Sequence, residues 1–171
     1  MAPGERSEIV QILEDSRKVF TDAAAGVSEA QAKTNPAEGR WSVLQCVEHV
    51  TIVEERFLGF LESAGRLDSP AIDAKKEAEL LALVADRSAR AQAPEPVQPT
   101  GRYPTLAEAM QGFNAVRGRT IAFATGRAGD LHTLACEHRR FGPLNGREML
   151  VVIAAHARRH AEQMREVHAA L

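Results

Sequence analysis

Apolar residues recur every three or four positions in four separated stretches of this 171-residue chain, and seams of that period are buried by packing helix against helix. In the first stretch Ile9, Leu13, Phe20 and Ala24 line up, with Ile12 and Ala23 beside them. The second carries Val43, Leu44, Val47, Val50, Val53, Phe57, Leu58 and Leu61, and the third Leu106, Met110, Phe113, Val116, Ile121 and Ala124. The last aligns Met149, Ile153, His156, His160, Met164, Val167 and Leu171. Start signals agree with the seams. Ser42 with Gln45 and Thr105 with Glu108 have capping-box spacing, the last stretch opens near Asn145 and Glu148, and Gly65 and Gly126 stand where helices two and three should stop. The expected helices span 7–25, 42–64, 105–126 and 145–170.

With no convincing strand and no internal repeat, residues 1–171 read as one all-α domain, a four-helix bundle. The link between helices two and three is long. Its segment 71–90 has only a short apolar stripe, Leu80, Leu81, Leu83 and Val84, and counts as part of the connection. Pro94, Pro96, Pro99 and Pro104 then favour an extended path. At about 3.1 Å per residue such a path crosses a bundle end to end, so helices two and three are expected to run parallel. The predicted order is up-down-down-up.

Composition excludes several function classes. Lys plus Arg total 21 against 23 Asp plus Glu, a net charge of -2, which offers no basic field for a nucleic-acid backbone. The N-terminus lacks the apolar core of a secretory signal and no later run reaches membrane-spanning length, so a cytoplasmic protein with no membrane partner is expected. Two cysteines, Cys46 and Cys136, with no C-x-x-C, indicate reduced thiols rather than a disulfide framework or zinc ribbon. A chain this long can bury an adequate core without a metal staple, so a metal found here would be functional.

The feature that carries chemistry is His156-Ala157-Arg158-Arg159-His160. Residues four apart on a helix lie one turn above each other, so both imidazoles point the same way. They share the seam of Met149, Ile153, Met164 and Val167, leaving Arg158, Arg159, Glu162 and Arg165 for water. H-x-x-x-H arises by chance readily in a chain with six histidines. Placement argues for metal, because interior imidazoles must find hydrogen bonds or a cation to offset desolvation. His49, flanked by Cys46, Val50 and Val53, is the best third ligand, although a lone histidine on an apolar flank is commonly only packed. It lies seven residues after Ser42, and His160 eleven before Leu171, so antiparallel helices would bring them to similar levels.

Trp41-Ser42 followed by Glu48-His49, the Phe141-Gly142-Pro143-Leu144 turn and His156-x-x-x-His160-x-x-Gln163 together resemble the DinB/YfiT-like superfamily across most of the chain. The resemblance implies a four-helix bundle, frequent homodimers, and a divalent metal, usually zinc or nickel, held by three histidines matching His49, His156 and His160. Relatives include S-transferases that use low-molecular-weight thiols and a thiol-dependent maleylpyruvate isomerase. The implied function is a metal-dependent enzyme acting on a small-molecule substrate, with a small-thiol-dependent S-transferase as its sharpest form. The alternative is a non-catalytic dimeric metal-binding or interaction module. One departure is Arg139, which stands where proline follows the histidine in many relatives.

Other residues have weaker signals. Gln163 is a candidate amide donor to a substrate, and Arg140 and Arg147 are candidate partners for a carboxylate of a thiol cofactor, each also consistent with a solvated surface role. His138 and His132 read as residues at the site mouth or as solvated loop histidines, and His168 as a polar terminal residue. Cys46, one turn before His49, is a fourth-ligand or nucleophile candidate that reads better as core. Trp41 reads as a hydrophobic staple.

Overall fold

A computed structural model describes residues 3–69, 73–88, 92–127 and 131–171. Four long helices form the bundle: α1 (Pro3–Ala24), α3 (Val43–Glu62), α5 (Leu106–Gly126) and α6 (Gly146–Ala169). Two shorter ones, α2 (Glu29–Lys33) and α4 (Ala74–Ala85), lie between them. Contacts fix the directions. Glu8 meets Arg147 and Val19 meets Arg165, so α1 and α6 rise together. Trp41 lies by His160 and His49 by His156, so α3 descends against α6. Arg17 bonds Asn114 while Leu13 accepts from Arg117, so α5 descends against α1. The order is up-down-down-up, as the long crossover requires.

The capping residues do what their spacing predicts, with one substitution of partner. Ser42 with Gln45 and Asn145 with Glu148 form complete capping boxes. Thr105 accepts from the Glu108 amide, but the other free amides of that first turn, Leu106 and Ala107, are taken by the Glu29 carboxylate of α2.

Two expectations are corrected. The connection after α3 holds a real helix: α4 buries Leu80 and Val84 against α6 and starts on an Asp73 cap. The outer parts of the expected 71–90 segment, 71–72 and 89–90, lie outside the described residues. The chain also contains a small sheet where none was expected. β1 (Gly65–Arg66), β2 (Leu134–His138) and β3 (Gly142–Asn145) pair antiparallel in that order, with Cys136 opposite Leu144 and His138 opposite Gly142. Gly142, at φ 69°, supplies the left-handed residue of the β2–β3 turn. No helix is long and apolar enough to cross a membrane among the described residues.

Two ionic features tie the bundle together. Arg117 and Glu54 are both buried, with Nε and Nη2 of the guanidinium each 2.8 Å from a carboxylate oxygen. Thr120 donates to the same carboxylate, and Arg117 reaches across to the Leu13 carbonyl and Ser16 hydroxyl, joining α1, α3 and α5 at one level. At the N-terminal end of α6, Arg147 bridges Glu8 and Glu77 beside a cavity of ≈ 340 Å³ that His132 also lines.

Candidate metal centre

His49 from α3 and His156 and His160 from α6 converge halfway along the bundle. Their ring centroids are 4.5 to 5.1 Å apart, each pair edge to face, and one ring nitrogen from each lies within 4.8 Å of the others. His49 and His160 are buried and His156 is partly exposed, which marks the open side. The convergence follows from local rules: the four-residue spacing stacks two rings on α6, and the Ser42 cap starts α3 at the height that brings His49 level with them.

The geometry sets the state of these rings. His49 Nδ1 sits 2.6 Å from the carbonyl oxygen of Val97, an acceptor only, so Nδ1 carries the proton and Nε2 is bare. That bare nitrogen faces Nε2 of His156 at 3.3 Å. Two imidazole nitrogens bound to one tetrahedral zinc at the usual bond length stand about 3.3 Å apart, so the pair already has ligand spacing. His160 Nδ1 is buried without a hydrogen-bond partner among the described residues, a cost that a bound cation or its water would remove. Burial lowers all three pKa values, those of His156 and His160 well below the ordinary range, helped by the neighbouring imidazoles and by Arg159. Three neutral nitrogen donors with no carboxylate in the cluster suit a borderline cation such as zinc or nickel, and the residues therefore fit the group.

The surroundings differ from the sequence reading in informative ways. Trp41 is more than a staple, since its ring packs against His49 at 4.7 Å and lies over His160 at 6.3 Å. Cys46 is core. It is fully buried and outside the donor cluster, and burial pushes its thiol up to about 12 despite Arg87 and Arg40 nearby, which leaves neither a ligand nor a nucleophile. His138 packs between Phe57 and Phe141, and its Nδ1 accepts from the amides of Arg140 and Phe141. Arg140 is exposed and lies over the Phe141 ring. Gln163 accepts weakly from Arg87, whose guanidinium also grips Glu166.

Two candidates lie elsewhere. Arg147 and His132 are buried at the cavity beside Glu8 and Glu77, and Arg147 lies nine residues before His156 on α6, about 13 Å along the axis. His132, read from sequence as a site-mouth or solvated loop residue, is buried, and Arg147, read as a partner for a carboxylate of a thiol cofactor or as solvated, is buried and paired with Glu8 and Glu77. The sequence reading missed Arg87, which the turn after α4 carries against α6 beside Gln163, and it left Arg159 of α6 to water, whereas the carbonyls of Val84 and Asp86 hold that guanidinium. It also missed the Val97 carbonyl.

Comparison with known proteins agrees with this architecture. A sequence model described as DinB superfamily matches residues 12–164. Among solved structures the fold is similar to that of YfiT from Bacillus subtilis, described as a probable metal-dependent hydrolase with an unusual four-helix bundle topology. The TM-score is 0.58 at 17% identity, covering 98% of this chain and 87% of that one. No curated protein matches significantly in sequence.

Proposed function

The chain belongs to the DinB superfamily, and from that premise we propose that it is a divalent-metal-dependent enzyme that transfers a small thiol to an electrophile. His49, His156 and His160 hold the metal, zinc or nickel. The observation that carries this reading is the facing of His49 Nε2 and His156 Nε2 at 3.3 Å, with the His160 ring centroid 4.7 and 4.5 Å from theirs. When bound, the cation supplies a Lewis acid that lowers the pKa of a thiol or water in the position three imidazoles leave open.

The chain's own residues set which reaction is favoured. Hydrolysis calls for a base to take a proton from water, and the acids of α3 nearest the site are committed elsewhere: Glu48 to backbone amides and Glu54 to Arg117. His138 does not serve at its free nitrogen, because two amide donors occupy Nδ1 and the neutral ring then presents Nε2–H. Burial, with Arg140 nearby, lowers its pKa and keeps it neutral. His138 is therefore a hydrogen-bond donor to a substrate oxygen, Arg140 a partner for an anionic group, and the Gln163 amide a second donor. A thiol, already acidic compared with water, makes less demand for a base. A second reading, hydrolase, is supported by the fold shared with YfiT and its description.

The test is incubation of metal-loaded protein with a panel of low-molecular-weight thiols and a reactive electrophile, following thiol loss against His156→Ala. The expected result is turnover that needs both metal and thiol. Cleavage of an activated ester in the absence of any thiol would favour the hydrolase, and a site inert to both would identify a metal-binding module.

A further inference from the structure

We infer that Glu48 is a positioning residue for the His49 ring: by anchoring the crossover at residues 100–102 it holds the Val97 carbonyl where His49 Nδ1–H must donate. Glu48 and His49 are neighbours on α3, and Glu48 is 1% exposed. Its carboxylate turns away from the donor cluster and gathers backbone instead. One oxygen accepts from the amides of Thr100 at 2.6 Å and Arg102 at 3.1 Å and from the Thr100 hydroxyl at 3.2 Å; the other accepts from the Gly101 amide at 3.2 Å. No cation lies within ion-pair distance of it among the described residues, so those four donors compensate the buried charge.

Three consecutive amides point at one carboxylate because Gly101 adopts φ +81°, a conformation a side chain would strain. Only Gln98 and Pro99 separate Val97 from Thr100, and the proline ring stiffens that link. On its other side Val97 closes a 3-10 turn, Glu95–Val97, through its amide to the Pro94 carbonyl at 3.0 Å. The Val97 carbonyl is thus held from both directions. Fixing the proton on Nδ1 keeps Nε2 bare and aimed at His156.

The consequence for a metal rests on the reading above, but the positioning itself is a property of the protein alone. In the metal-free full-length chain, nitrogen-15 NMR of the imidazoles, assigned by comparison with His49→Ala, is expected to show His49 as the Nδ1–H tautomer. In Glu48→Gln, whose amide NH₂ replaces one acceptor oxygen, and in Gly101→Ala, which strains the turn from the opposite side, His49 is expected to become a mixture of tautomers at unchanged helical content. Zinc affinity should fall about 10–100-fold in both. Glu55→Gln, which removes only the exposed ion pair of Arg102, should leave the tautomer and the affinity as in the parent. A His49 ring that keeps the parental tautomer in both Glu48→Gln and Gly101→Ala overturns the inference, whether or not the parent binds zinc. If Glu48→Gln does not fold, Gly101→Ala decides alone.

Discussion

Replacing Glu54 with alanine is expected to destabilise the protein by about 3–5 kcal/mol, because it leaves the Arg117 guanidinium buried without its counter-charge. At about 2–4 °C per kcal/mol for a chain of this size, the melting temperature should fall by roughly 6–20 °C. The penalty belongs to the stranded charge rather than to the lost pair. Removing both partners together, as Glu54→Leu/Arg117→Met, is therefore expected to recover much of the loss. Recovery should be incomplete, since Ser16 and Thr120 also bond to the pair. Thermal and urea denaturation of the two variants against the parent measure this. A Glu54→Ala loss under about 1 kcal/mol would show that water or another group reaches Arg117 and that the pair is not what aligns α1, α3 and α5.

Acidification is expected to destabilise the protein and release its metal in one pH window. The histidines that burial holds below the ordinary value are His49, His138, His156 and His160. Above the unfolded value of about 6.5 neither state binds these protons, so stability is flat there. Below it the unfolded chain takes protons that the folded rings refuse, so stability falls as pH falls and levels off only beneath the folded values. Protons compete with metal for the same nitrogens, so affinity declines in the same direction. Glu166, held low by its hydrogen bond to Arg87, acts only in the more acidic carboxylate range and does not blur this window. Metal titrations from neutral pH downward, read by fluorescence of Trp41, the single tryptophan and 4.7 Å from His49, should show weakening affinity. Constant affinity well below pH 6.5 would point to ligands other than histidine.

What the sequence made legible was whatever repeats with the helical period. The seams of α1, α3, α5 and α6 and their caps are local, so the bundle and its parallel α3 and α5 follow from spacing and the length of one connection. The sheet does not, because β1 is two residues long and pairs with β2 about 70 residues away, while β2 has only five residues in which to show alternation. α4 hid because a helix lying on one neighbour needs few buried positions, here Leu80 and Val84. At the site, His156 and His160 were readable from one helix and His49 from its level on another. The Val97 acceptor is backbone and leaves no residue signature. Arg147 shows the converse failure: an arginine near the start of α6 reads as solvated, and only the fold brings Glu8 and Glu77 around it.

The most direct test of the central claim is elemental analysis of protein purified without an affinity tag, parent against His156→Ala/His160→Ala. The account predicts a divalent metal near stoichiometry with the parent chain and almost none in the double variant, with both folded by circular dichroism. Equal metal content in the two proteins would contradict it.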